Sequence, residues 1–183
     1  GMDLKGATLG LIGFGRIGKA MAKRAAGFDM RVIYYDPGEK KPDRNLKATR
    51  VDFETLLKES DIVSLHTPLT PDTRHLIDSE ALSKMKPTAV IVNTSRGPVV
   101  DPDALYEALK KKHIFGAGLD VTEPEPLPMD SPLLTLDNVV IVPHIASAST
   151  TSRNMMSWKA AQNLIAGLKG ERLPNCVNPQ IYK

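Results

Sequence analysis

The chain has 183 residues, 42% hydrophobic and 25% charged, the profile of an ordinary globular protein. No apolar run approaches the roughly 18 residues of a membrane span, and the N-terminus shows no signal-peptide pattern. The single cysteine, Cys176, excludes an intramolecular disulfide and a multi-cysteine metal centre. A cytoplasmic protein without a metal site or a membrane partner is therefore expected. The net charge of +3 raises the question of nucleic acid, but the basic residues are spread along the chain and aromatics make up only 5%. The run Lys110–Lys112 reads as a helix C-terminus, where the dipole favours cations, and Lys40–Lys41 as a turn. No nucleic-acid partner is expected.

In chain order, short apolar runs alternate with longer amphipathic ones. Thr8–Ile12 reads as a buried strand, and Arg16 to Phe28 as a helix with Ile17, Ala20, Met21, Ala25 and Phe28 on one side. Arg31–Tyr35 is a second strand, closed by Asp36-Pro37-Gly38. Residues 39–50 form a polar connection with room for one short strand. Asp52 to Lys58 is a short helix, Ile62–His66 a strand, Ser79 to Met85 a helix with Ser79 as N-cap, and Ala89–Asn93 a strand. Asp101 caps a helix that has Pro102 in its first turn and runs to about Lys111. Gly116–Val121 is a strand, 122–132 a proline-stiffened loop, and Val139–Val142 the last strand. A long helix follows from about Thr150, with Met156, Ala160, Leu164 and Leu168 every four residues and Gly170 closing it. Met155, Met156 and Trp158 read as core or interface. Strands separated by helices imply a doubly wound α/β domain with a parallel sheet of six or seven strands. It is assigned to residues 1–170, with a tail at 171–183.

Gly13-Phe14-Gly15-Arg16-Ile17-Gly18 is a GxGxxG segment between a strand and a helix, the context that gives the motif meaning. Gly13 permits the turn, Gly15 admits a pyrophosphate, and Gly18 lets strand and helix pack. The helix N-terminus then offers N–H groups to phosphate. Asp36 ends the second strand 18 residues after Gly18. Its carboxylate either accepts from the adenosine ribose, which favours NAD over NADP, or only makes the turn. The other strand ends are polar as well: His66-Thr67-Pro68, Asn93-Thr94-Ser95-Arg96, Asp120 followed by Glu123 and Glu125, and His144. A parallel sheet brings all of them to one edge. Arg96, Asp120, Glu125 and His144 there supply a cation, two carboxylates and an imidazole, which beside a cofactor can run acid/base chemistry on a carbonyl. His66 either lines the cofactor cleft or caps its strand. His75 and His113 read as solvated surface histidines, and Cys176 has no base beside it in sequence.

These ordered motifs resemble the nucleotide-binding domain of the D-isomer-specific 2-hydroxyacid dehydrogenases. The resemblance covers residues 4–178 and rests on the glycine loop with Asp36, HTPLT at 66–70, NTSRGPVVD at 93–101, GAGLDVTEPEPLP at 116–128 and PHIASAS at 143–149. Within the family, the EPEPLP segment and the long final helix are most similar to glyoxylate/hydroxypyruvate reductases. The resemblance implies a Rossmann fold and the catalytic set Arg96, Glu125 and His144. Glu125 is preferred to Glu123 because it precedes the proline of the EPLP-type segment. The resemblance also implies that Arg16 and Ile17 face the pyrophosphate, that Asp120 holds the nicotinamide carboxamide, and that Thr67, Pro68, Thr94, Ser95, Arg96, His144 and Ala146 line the cofactor.

The implied activity is NADH-dependent reduction of a small 2-keto acid to the D-2-hydroxy acid, with a homodimer formed through this domain. The chain starts 12 residues before Gly13. The family carries roughly a hundred further residues there, which form most of a substrate domain, so a fragment is expected. Gly1 reads as a tag remnant or a native internal glycine. Two rivals stand beside this reading. One is a non-catalytic NAD(H)-gated module like the family's corepressors; the other is a formate or phosphite dehydrogenase of the same superfamily.

Overall fold

The computed structural model describes residues 1–38 and 46–182; the Lys40–Lys41 turn lies outside them. The chain divides into two compact units, Gly1–His144 and Ile145–Lys183.

The first unit is a parallel sheet of seven strands: β1 (Thr8–Ile12), β2 (Arg31–Tyr35), β3 (Ala48–Arg50), β4 (Ile62–Leu65), β5 (Val90–Asn93), β6 (Gly116–Leu119) and β7 (Val139–Ile141). Their order is β3-β2-β1-β4-β5-β6-β7. The expected strand within 39–50 is β3, paired with β2 through Ile33 and Thr49. The order reverses at β1, which pairs β2 on one side and β4 on the other. A doubly wound sheet opens a ligand crevice at that point, outside the carboxyl ends of its strands.

Successive side chains of β1 serve opposite layers. Leu9 and Leu11 join Phe14, Val32 and Tyr34 against α1 (Arg16–Ala25). Ile12 joins Ile33, Val63, Leu65 and Ile91 against α2 (Phe53–Glu59), α3 (Ser79–Ser83) and α4 (Pro102–Lys110). Each such Leu, Ile or Val, fully buried, contributes roughly 1.5–3 kcal/mol. Asp52, Asp78 and Asp101 cap α2, α3 and α4 by accepting backbone N–H bonds from Thr55, Ala81, and both Asp103 and Ala104. The cap of α3 is therefore Asp78 and not Ser79, which is the first helical residue.

The core face of α1 also differs from the expectation. Gly18, Ala22 and Ala25 are buried, whereas Ile17 is 66% exposed and Phe28 lies beyond the helix in a 3-10 turn. Strands β4, β6 and β7 each stop one or two residues early. The chain then carries His66, Asp120 and His144 onto the edge, with His66 N and Asp120 N still donating to Ile12 O and Asn93 O at 2.7 and 2.9 Å.

The second unit is built on α5 (Thr150–Leu168), capped by Ser149, whose Oγ accepts from Ser152 N. Gly170 sits just past the helix at φ +71°, where a side chain would be strained. The tail returns on the helix through Asn175 N–H, which donates to Asn163 Oδ1 at 3.0 Å. Ala166 is the buried residue of α5. Met155, Met156, Trp158, Leu164 and Leu168 are exposed, so they are not core of this chain. No helix among the described residues is long and apolar enough to cross a membrane.

Candidate active site

The loop between β1 and α1 is shaped by its glycines. Gly13 has φ +93°, and a Cβ there would come within 2.6 Å of the His66 carbonyl oxygen, so this turn seats directly on the end of β4. A Cβ on Gly18 would strike the Gly13 carbonyl. Gly15 is different: a Cβ there would meet nothing within 4 Å among the described residues. Phe14 anchors the loop inward, its ring stacked on Tyr34 with centroids 3.8 Å apart. Asp36, 6% exposed, holds the loop from β2. Its Oδ2 accepts from Phe14 N at 2.8 Å and its Oδ1 from Gly38 N at 3.0 Å. These bonds give the carboxylate its turn role.

Beside the loop opens a cleft of about 620 Å³. Arg16 and Ile17 line one side, His66, Thr67 and Pro68 the end of β4, and Thr94, Ser95 and Arg96 the end of β5. The N-terminus of α1 has no side-chain cap and no acid in its first turn, so its N–H groups remain for an anion. Thr67 Oγ1 is buried without a partner among the described residues. Open space at Gly15, an uncapped helix end, an exposed Ile17 and an orphaned hydroxyl fit a dinucleotide. His66 lines the cleft as well as ending its strand: Ser64 Oγ lies 3.0 Å from its Nε2, and burial lowers its pKa, favouring the neutral ring.

At the end of β5, Asn93 (1% exposed) organises the next turn. Its Oδ1 accepts from Ser95 N and Ser95 Oγ at 3.0 and 2.9 Å, and its Nδ2 donates to Arg96 O at 2.9 Å. The exposed Arg96 donates from Nη1 to Ser95 O at 2.6 Å. Asp120 is buried at the end of β6, where its carbonyl accepts from His144 N at 2.8 Å. His144 adopts φ +53°, and its Nδ1 lies 2.6 Å from Glu125 Oε1. The imidazole and the carboxylate are 50% and 42% exposed. With Nδ1 engaged, Nε2 is the ring nitrogen left to exchange a proton. Of the two loop carboxylates it is thus Glu125 that meets the histidine.

Glu123 has another partner, and His75 is not the solvated histidine expected from its polar neighbours. His75 Nε2 and Arg74 Nη2 lie 2.7 and 2.6 Å from Glu123 Oε2 and Oε1. The partners are 48 and 49 residues apart, a pairing that no local pattern carries. Asn93 was visible as an amide two residues before Ser95, the spacing of an Asx-type turn. His113 is exposed, as expected. Ala146 lies in the second unit.

Residues 1–146 match the model of the D-isomer specific 2-hydroxyacid dehydrogenase NAD binding domain. A glyoxylate reductase of Korarchaeum cryptofilum is 54% identical over 184 residues, covering 100% of this chain and 55% of that protein. A glyoxylate/hydroxypyruvate reductase B of Pectobacterium carotovorum is 51% identical over 185 residues, covering 100% of this chain and 58% of that protein. Among solved structures, D-lactate dehydrogenase with NAD+ from Lactobacillus jensenii superposes with a TM-score of 0.85 at 36% identity, over 94% of this chain and 56% of that one. The chain belongs to the D-isomer specific 2-hydroxyacid dehydrogenase family, through its NAD-binding domain, and spans little more than half the length of these relatives.

Proposed function

We propose that this chain is the cofactor-binding part of an oxidoreductase that reduces a 2-keto acid of the glyoxylate or hydroxypyruvate type to the D-2-hydroxy acid. The observation that carries the reading is the 2.6 Å Glu125–His144 pair at the sheet edge that also bears Arg96 and the dinucleotide cleft. Gly13, Gly15, Gly18, Arg16 and Ile17 would hold the pyrophosphate, Asp36 the ribose, Asp120 the carboxamide, and Thr67, Pro68, Thr94 and Ser95 the remaining surface. The chemistry that a bound nicotinamide supplies is hydride transfer to the keto carbon.

His144 donates a proton from Nε2 to the forming alkoxide and takes it back in the reverse reaction. Glu125 orients the ring through its contact with Nδ1. Arg96 pairs with the substrate carboxylate and polarises the keto oxygen with its fork of donors. A cytoplasmic homodimer is the assembly we favour. Exposed Met156, Leu164 and Leu168 on α5 support an apolar contact. NAD(H) is preferred over NADP(H), because the Asp36 carboxylate would repel a 2′-phosphate. The Arg50 guanidinium, which donates to Asp36 O at 3.0 Å, is the countervailing charge.

Calorimetric titration with NADH and NADPH tests the cofactor, and tight NADH binding with much weaker NADPH is expected. Turnover of glyoxylate and hydroxypyruvate by a longer form with the remaining segment tests the reaction. There His144→Ala should lower kcat by at least about 100-fold and leave NADH affinity nearly unchanged. Normal turnover in that variant would sink the assignment. Cofactor-dependent partner capture without turnover of either acid would favour the interaction-module reading.

A further inference from the structure

Glu123 and Glu125 flank one proline, yet face different partners. Arg74 and His75 each take one oxygen of Glu123, whose side chain is only 23% exposed. Their own segment is fixed. His75 N donates to Pro98 O at 2.7 Å, Ile77 N to Val99 O at 3.1 Å, and Asp101 N to Ile77 O at 3.0 Å. His75 is held at φ +50°, a conformation uncommon outside glycine. The segment that grips Glu123 is therefore bonded to the strip directly after Arg96. On the other side, Thr122 Oγ1 donates to Pro124 O at 2.8 Å, and Gly97 sits so close to the Thr122 carbonyl that no side chain fits between them.

We propose that Arg74 and His75 are positioning residues: by gripping Glu123 they set the Thr122–Glu125 turn so that Glu125 meets His144 Nδ1. The inference rests on the proposed roles of Glu125 and His144. An isolated surface ion pair would contribute little. This one differs because both carboxylate oxygens are engaged, each by a side chain from one braced segment. Burial alone would raise the Glu123 carboxyl, but the hydrogen bonds from His75 and Arg74 outweigh it and hold it below the ordinary glutamate range. It thus stays ionised, as the grip requires, at neutral pH.

The test uses the full chain with 15N-labelled histidine. Correlations between carbon-bound ring protons and ring nitrogens report which nitrogen of His144 carries the proton. With Glu125 in place, Nδ1 is the protonated nitrogen of the neutral ring. Glu125→Gln provides the reference for a lost partner. Arg74→Ala/His75→Ala should move the His144 nitrogen shifts toward that reference, and His75→Gln, which keeps a donor for Glu123, should move them less. If the double variant does not fold, Glu123→Gln, equal in size but uncharged, tests the brace through the same shift. Unchanged His144 signals in a folded brace variant, with Glu125→Gln moving them, would overturn the brace and leave the catalytic pair standing. Unchanged signals in Glu125→Gln itself would overturn the pair, and the brace with it.

Discussion

Gly97 and the Thr122 carbonyl leave each other no room. A Cβ on Gly97 would collide with that oxygen and crowd the Glu123 nitrogen at 3.0 Å. The obstruction is backbone, so it cannot be relieved by a side-chain rotation. Gly97→Ala must separate the turn after Arg96 from the turn carrying Glu125. Overpacking of this kind costs roughly 1–3 kcal/mol. The expected result is a stability in urea lowered by that amount, with His144 signals displaced in the same spectra that read the brace. Stability equal to the wild type would mean that the two turns are not held against each other. The same logic separates the glycines of the loop. Gly13 is required by its positive φ and by the nearby His66 carbonyl, whereas Gly15 is required by nothing among the described residues.

At the scale of elements, β1 and β4 are joined by more than their ladder. Asp61, just before β4, accepts from Thr8 N at 2.8 Å and from Lys86 Nζ at 2.7 Å. Burial alone would raise its pKa, but the bonds from Lys86 and Thr8 outweigh it and hold the carboxyl below the ordinary aspartate range. The unfolded chain therefore takes up this proton at a higher pH than the folded one. The stabilisation is complete above the unfolded pKa of about 3.9 and is lost as pH falls through it toward the lower folded value. Asp61→Asn should cost roughly 1–2 kcal/mol at pH 7, and the difference from wild type should shrink by about pH 3 in paired urea titrations. A difference that stays constant would show that the charge is not what matters.

Strands β1 and β2 were legible because their apolar runs are continuous and sharply bounded. Thr8–Ile12 and Arg31–Tyr35 have the bounds expected of them. The start of α3 was less legible because Asp78 and Ser79 are both good caps and only geometry chooses between them. Ile17 misled because periodicity counts apolar side chains without regard to what covers them. Here the helix lays its smallest residues on the sheet and turns Ile17 to the cleft. The polar strand ends pointed to Arg96, Glu125 and His144, since a parallel sheet collects such ends on one edge. The Glu123 brace was hidden because it is a tertiary contact between two ordinary-looking polar stretches.

For the molecule as a whole, the cleft links folding to cofactor. A ligand that binds only the native state stabilises it by about 2.7 kcal/mol at a free concentration a hundredfold above its dissociation constant. In a chain of this size that corresponds to a rise in Tm of roughly 5–10 °C. Gly15 allows the effect to be separated from folding. It has φ −75°, caps α1 from an extended conformation, and faces space in which a Cβ meets no atom of the described residues within 4 Å. Gly15→Val meets no clash but is a poorer N-cap, so the unliganded Tm should stay within about 4 °C of wild type, yet the NADH-induced rise should be abolished, because the added methyls would occupy the proposed approach of the pyrophosphate. His144→Ala should retain the rise, since in the proposed mechanism its ring serves proton transfer more than affinity. Differential scanning fluorimetry of the three proteins, with and without NADH, makes the comparison directly. A wild-type rise that survives Gly15→Val would place the dinucleotide elsewhere than at the glycine loop.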